Sequence, residues 1–313
     1  MLVNREVILS KIEPVYNVDS SPGAADAILV ENLGWSYAGA RMIERKPVRQ
    51  SIAALKQVHA GTLIELTYEI ELKGAGVAYS ASVRPECDSS LRVCGFGATI
   101  DVTASAEKAT YAPVSTGHES ATKYFYADGH LIPVTGCRGN VSLNLETGNT
   151  GKASVTVTGH VGTVTDTALI TPSYDSSVPP AMIGAGFSVG GYAAVINALQ
   201  FDMSNTVATP PDINADDGYG EIIITARDCN GSFDPEAVLI ATHDFHGGWR
   251  NGTDMVLTTG VIGATQYNRF KVDMPAIHYR SIGPGDRDGK RTYDMGFGAA
   301  ESTTDDEVSI EFS

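Results

Sequence analysis

Gly186-Phe187-Ser188-Val189-Gly190 has the G-x-S-x-G spacing of a nucleophile elbow, and His246-Gly247-Gly248 has the composition of an oxyanion loop. An elbow needs a buried strand before its serine and a helix after it. Here Val178-Pro179-Pro180 lies upstream, and the β-like run 192–196 lies downstream. The His-Gly-Gly loop also follows the serine instead of preceding it. With 33 glycines in the chain such patterns arise by chance, so no catalytic residue is expected. Asp212-Ile213-Asn214-Ala215-Asp216 supplies the first three ligand positions of a calcium loop. Asp217 then stands where the loop needs glycine, and Ile223 where it needs a bidentate glutamate. Asp286, Asp288 and Asp294 form a looser acidic group, and His243 with His246 has no evident third ligand. The expectation is no metal and no cofactor. Glu65, Glu69 and Glu71 are different, because with Thr67 they fall on one face of an alternating run. Carboxylates aligned on a sheet cost stability unless solvated, so this face is either plainly wet or an acidic wall beside an aqueous channel.

The elements that position these groups are strands. In residues 62–72, Ile64, Leu66, Tyr68, Ile70 and Leu72 alternate with the glutamates. The same period of two recurs at 141–146, 154–158, 199–203, 270–274 and 307–312. Such alternation means antiparallel sheets with one packed and one wet face. Helical signals are few. Pro85-Glu86 opens one, with Leu91 and Cys94 inward. Asp234-Pro235-Glu236 opens another, with Ala237, Ile240, Ala241 and Phe245 as its apolar stripe. Residues 51–56 are a third candidate turn.

A chain of 313 residues with 42% hydrophobic content suits two ordinary domains. The excess of 37 acidic over 22 basic residues, net −15, argues against a surface built to grip nucleic acid. Cys87, Cys94, Cys137 and Cys229 are too sparse for a disulfide framework and lack paired zinc spacing. No signal-peptide core and no membrane-spanning apolar run is evident, which reads as a soluble protein of a reducing cytoplasm. Trp35 and Trp249 are expected to be packing anchors.

The chain also repeats itself. The strand 62–72 leads through a loop into Pro85-Glu86, and half a chain later the strand-like 220–226 leads into Pro235-Glu236. Each strand follows a long loop, 48–61 and 205–220. Proline- and serine-rich residues 166–183 read as a linker between domains at 31–165 and 184–313, and residues 1–30 as an extended N-terminal arm.

In order along the chain stand Ile12-Glu13-Pro14-Val15-Tyr16-Asn17, Leu91-Arg92-Val93-Cys94-Gly95-Phe96, Tyr111-Ala112-Pro113-Val114-Ser115, Asp128-Gly129 and Gly136-Cys137-Arg138-Gly139-Asn140-Val141. Asp212-Ile213-Asn214-Ala215, Gly218-Tyr219, Thr225-Ala226-Arg227-Asp228 and Asp286-Arg287-Asp288-Gly289 follow. This series resembles the major tail tube proteins of long-tailed phages, Mu-like prophage relatives included. The resemblance implies a mainly β fold: two tandem tail-tube-type sandwich or barrel domains, each with one flanking short helix, after an N-terminal arm. It implies a non-enzymatic virion protein, assembled in the bacterial host cytoplasm. Its rings would stack into a hollow tube that passes double-stranded DNA without specific binding. Duplication would make a trimeric ring. Glu65, Thr67, Glu69, Glu71, Glu221, Ile223 and Thr225 are the expected lumen residues. Ile52, Leu55, Lys56, Val58, Asp212, Asn214, Asp216, Asp217 and Tyr219 are the expected ring-to-ring contacts. Tail tip, tape measure and tail terminator proteins are the implied partners besides the chain itself, with no membrane. A two-domain β-sandwich decoration or receptor-binding module is the competing reading.

Overall fold

Alternating side chains commit a strand to two different faces, and this chain uses that rule to build a wall. The computed structural model describes Leu2 and residues 5–313. The first half opens with β1 (Glu6–Ile12), β2 (Ala27–Ile28), β3 (Val30–Ala38), β4 (Met42–Ile43), β5 (Val58–His59) and β6 (Leu63–Glu71). Helix α1 (Asp88–Arg92) follows. Then come β7 (Phe96–Asp101), β8 (Lys108–Pro113), β9 (Ala121–Ala127), β10 (His130–Glu146), β11 (Lys152–Val161) and β12 (Thr165–Asp166). The second half has β13 (Ser188–Val189), β14 (Ala198–Asp202), β15 (Thr206–Ala208), β16 (Ile223–Ala226) and β17 (Asn230–Phe233) before α2 (Phe245–Asn251). It closes with β18 (Met255–Thr258), β19 (Phe270–Arg287), β20 (Lys290–Ala299) and β21 (Ser309–Phe312).

Hydrogen bonds join seventeen of these strands into one barrel-like network. Its front is an antiparallel wall in the order β3-β6-β11-β10-β14-β17-β20-β19, four strands from each half. One rung reads Glu31-Glu69-Ser154-Ser142-Asp202-Asn230-Gly298-His278, and a neighbour reads Ile70-Ala153-Leu143-Phe201-Gly231-Phe297-Tyr279. The first is polar, the second packed, so the wall keeps one wet and one dry face across its whole width. Behind the dry face β10 and β19 run on past the wall. The start of β10 pairs with β9, which carries β1 and β2. The start of β19 pairs with β18 and β21, and β21 carries β8 and β7. One core cluster fills the space and includes residues from Ile8 to Phe312, so both halves share it.

The structure departs from the sequence expectations in several places. Residues 6–12, expected in an extended N-terminal arm, are a strand within the sheet, with Ile8 and Leu9 buried. The apolar run Val7-Ile8-Leu9 supplies the driving force. Glu13 follows it inside, accepting hydrogen bonds from Ser120, Thr122, Asn17 N and Gly136 N. Met1, Val3 and Asn4 of that expected arm lie outside the described residues. The second helix is capped ten residues later than expected, at Asp244 instead of Asp234. Asp244 caps it by accepting from Gly247 N at 2.7 Å, and Gly252 ends it in the left-handed conformation. Asp234 instead accepts from Asn197 N and Ala198 N, while residues 235–237 are held extended against β20 by Tyr293 N–H to Pro235 O and Ala237 N–H to Arg291 O. That backbone ladder outcompetes the helix, and Leu239 and Ile240 are left exposed. Residues 51–56 form no helix. Residues 166–183 carry no strand beyond Asp166, yet are pinned along the surface by Ser173 N–H to Ala24 O and Met182 N–H to Asn149 O.

Candidate functional site

The wet face of the wall runs across eight strands. Glu65, Thr67, Glu69 and Glu71 project from β6 on it, beside Thr158, Thr156, Ser154 and Lys152 of β11. Asn140, Ser142 and Asn144 of β10 continue it, then Gln200 and Asp202 of β14, then Asn230 and Ser232 of β17. Beyond them lie Asp294, Gly296 and Gly298 of β20. Most of these residues are small and neutral, with carboxylates concentrated on β6. Glu31 and Glu69 stand directly opposite, a repulsive placement. Lys152 relieves it, at 2.6 Å from Glu31 and 3.6 Å from Glu69, and its hydrogen bond to Glu31 raises its own pKa.

Of the other three expected lumen residues, Ile223 and Thr225 lie in β16, which pairs only with β15 in a separate two-stranded hairpin, while Glu221 is tied at 2.7 Å to Arg138, which shares a rung with Thr158 and Glu65. The strand that precedes α2 in the second half, as β6 precedes α1 in the first, is β17. With four residues and a central glycine it shows no alternation, so the sequence pointed to the more strand-like 220–226 instead. Its only signal was its place between a strand and a helix.

The two long loops, separated by more than a hundred residues, meet at one end of the molecule. Arg41 donates to Gly218 O at 2.9 Å and lies 3.8 Å over the Tyr219 ring, whose hydroxyl donates to Gly39 O. Gly61 has φ +106° and sits against the Asp217 carbonyl, where a side chain has no room. Ile52, Lys56, Val58, Asn214 and Asp216 point outward, while Leu55, Asp212 and Asp217 are half-buried. Tyr219 is buried and serves as the bracket between loops. Asp217 is held by His160 at 2.6 Å, and Tyr16 completes that chain at 2.9 Å from the other His160 nitrogen. Val48, Ile52 and Ile213 are fully solvent-exposed at the loop tips.

Neither acid–base nor metal chemistry assembles among the described residues. Ser188 sits in β13, paired with Thr258, and a turn follows it instead of a helix. A nearby groove of about 440 Å³ is lined by Leu145, Met182, Phe187, Ala194 and Leu199 and contains no titratable side chain. His243 stacks on Tyr192 at 4.8 Å, and His246 packs edge-on against Tyr293. Asp212 accepts from Asn214 N and side chain to form its own turn. No three His, Cys, Asp or Glu side chains there form a metal-binding group. Burial pushes the Cys94 and Cys137 thiols up to about 12, leaving them unreactive near neutrality.

Sequence reasoning missed the polar ties under the wall. Lys73 and Glu86 form a buried ion pair at 2.8 Å; Glu86 also takes Leu29 N–H, and Lys73 donates to Asp175 O. Lys123, fully buried, donates to Ser10 and Tyr68 hydroxyls. Both lysines gain their buried surroundings only on folding, so no local pattern marked them.

A broad antiparallel wall with one wet and one dry face defines a mainly β protein built around one extended sheet. The chain matches the phage tail tube protein family over residues 6–312 and belongs to it. No curated protein matches it. It is therefore a structural tail tube protein of the virion, not an enzyme, and acts by assembling with itself and other tail proteins.

Proposed function

We propose that three copies of this chain close their walls around a common axis into a ring, with the wet face inward. Rings then stack into the hollow tail of a long-tailed, Mu-like phage, and double-stranded DNA passes through without specific binding. The carrying observation is the wall itself: both halves contribute four strands each to one sheet with a continuous polar face. Eight strands alone would close into a barrel whose interior side chains fill, which would crowd these polar groups together. With strands ~4.8 Å apart and tilted ~35–45°, three such walls would instead form a barrel about 45–50 Å across at the backbone.

Small polar and acidic side chains suit such a bore. Duplex DNA carries one charge per ~1.7 Å of axis, and screening is effective beyond ~8 Å in physiological salt. The carboxylates of β6 thus act where DNA nearly touches the wall, and prevent adhesion there. The loops around Ile52, Lys56, Val58, Asn214 and Asp216 are the reading for ring-to-ring contact. Assembly in the bacterial cytoplasm on a tail tip, along a tape measure and up to a terminator protein completes the proposal.

Electron microscopy of concentrated protein tests it: rings and tubes are expected, and lone particles under all conditions would refute it. Glu65→Lys with Glu69→Lys should leave tube assembly intact and slow DNA delivery. Delivery at the normal rate in low salt would remove these residues from the lumen.

A further inference from the structure

Apart from the main core, the fold encloses a small separate one at the loop end of the wall. Leu63, Tyr219 and Ile222 form it, at 1%, 6% and 0% exposed, with Ala38 and Val207 packed around them. Two of its three buried members belong to residues 217–222, the base of the second long loop. A satellite core of this size can open while the main core stays intact, because few apolar contacts join the two.

One side of this stretch is held by a chain of hydrogen bonds. Ile222 N–H donates to the Tyr16 hydroxyl at 2.7 Å, that hydroxyl donates to His160 Nε2 at 2.9 Å, and His160 Nδ1–H donates to Asp217 at 2.6 Å. The direction follows from the two ends, since a backbone N–H only donates and a carboxylate only accepts. The other Asp217 oxygen takes Tyr219 N–H at 3.0 Å. Each group that accepts on one side is a stronger donor on the other, so the links reinforce one another. Arg138 lies 4.9 Å over the Tyr16 ring and donates to Ile222 O at 2.7 Å. Gly136 has φ +63°, and a β-carbon there would meet the His160 and Tyr16 rings at 3.0 Å. The packing has no slack.

The opposite side is held by the base of the first long loop. Besides its guanidinium contacts with Gly218 and Tyr219, Arg41 takes Ala60 N–H at 2.7 Å on its carbonyl and gives its own N–H to Gly61 O at 3.0 Å. Gly39 accepts from the Tyr219 hydroxyl, and a β-carbon at Gly39 would stand 2.5 Å from that oxygen. Tyr16 shares no hydrogen bond with this loop. Above these fastenings both loop tips are bare, with Ile52 and Ile213 fully exposed.

Resting on the reading of these loops as ring-to-ring contacts, we infer that residues 217–222 are a two-sided latch that couples the two loop tips. Closed, the latch fixes both tips in one relative position before any contact is made. The ordering entropy is then lost once, in the free chain, and a neighbouring ring meets a prepared surface. Opening either side releases both, because Tyr219 and Ile222 leave the satellite core together. Such coupling is reciprocal. Loosening the Tyr16 side must free the Arg41 side, and loosening Arg41 must free Ile222.

Amide hydrogen exchange on the full chain in dilute solution reads both sides at once. Tyr16→Phe deletes the hydroxyl and should speed exchange at Ile222 N–H. The latch requires that Arg41 N–H and Ala60 N–H, on the other loop, also exchange roughly fivefold faster. Arg41→Met should speed Ile222 N–H to a similar extent, and the double variant should release little more than either single one. Amides of β6 and β11 should keep their rates, which separates latch opening from general loss of stability. Variants that each quicken only their own side would refute the latch, as would wall amides that quicken equally. Tube formation separates this from the ring reading: either single variant should raise the protein concentration needed for tubes about tenfold. Coupled exchange with tubes forming at the wild-type concentration would keep the latch and overturn the loops as ring contacts. Uncoupled exchange with weakened tubes would overturn the latch and keep the contacts.

Discussion

In the first half of the wall the buried side is mostly aliphatic, with Ile64, Leu66, Ile70, Val155 and Val157 around the single ring of Tyr68, packed behind carboxylates and threonines. In the second, Phe233, Phe297, Tyr279 and Phe201 fill the same layer, with ring centroids near 6 Å for Phe233 against both Tyr279 and Phe297. Bulk is also traded across equivalent rungs. Ile64 stands opposite Gly159, whereas its counterpart Gly231 stands opposite Phe297. The volume per rung is kept while the large partner changes strand, which is how close packing tolerates a changed sequence. The wet faces diverge more, because solvent imposes no volume. Glutamates cluster on β6, and glycine, serine and asparagine take the matching places on β17 and β20. A ring of such walls, as proposed, would alternate acidic and neutral sectors.

Three experiments bear on this comparison. Phe297→Ala should cost about 4 kcal/mol in urea unfolding, more than Leu66→Ala at about 3 kcal/mol, since the aromatic layer leaves the larger cavity. Equal losses would mean that the two halves pack alike. Gly231→Val should cost about 2 kcal/mol, because a β-carbon there meets the Gln200 carbonyl at 2.2 Å and the Phe297 ring at 2.5 Å. Combined with Phe297→Ala its added cost should shrink, and strict additivity would show that the bulk is not exchanged across that rung. The smallest effect concerns charge at the rim. The hydrogen bond from Arg280 holds the Asp228 carboxyl below the usual carboxylate range. A depressed carboxylate contributes stability that is present above its unfolded value of ~3.9 and is lost as pH falls through the folded value. Arg280→Met should therefore flatten the acid limb of the stability profile by well under about 1 kcal/mol, the range of exposed pairs. An unchanged limb would show that the pair contributes nothing.

The strand at 62–72 was legible because nine residues alternate without interruption, and so was the wet placement of Glu65, Glu69 and Glu71. The tail tube resemblance likewise stood in the order of short motifs spread over the chain. β17 was not legible: Asn230-Gly231-Ser232-Phe233 has one large apolar residue, and it becomes a wall strand only because β14 and β20 flank it. The second helix was misplaced because Asp234-Pro235-Glu236 has good capping chemistry, whose partners turned out to be β14 and Arg287. The burial of β1 was signalled by Val7-Ile8-Leu9 but masked by the turn residues that follow.

By itself, the sequence determined the period of the strands, the acidity of one face and the family. The tertiary structure alone decided which strand stands beside which, that the two long loops share one end through Arg41 and Tyr219, and that the seam between the halves, β10 against β14, closes within the chain. The reason is physical: alternation tells a strand which side to bury, but its backbone donors and acceptors are the same at every position and carry no address for a neighbour.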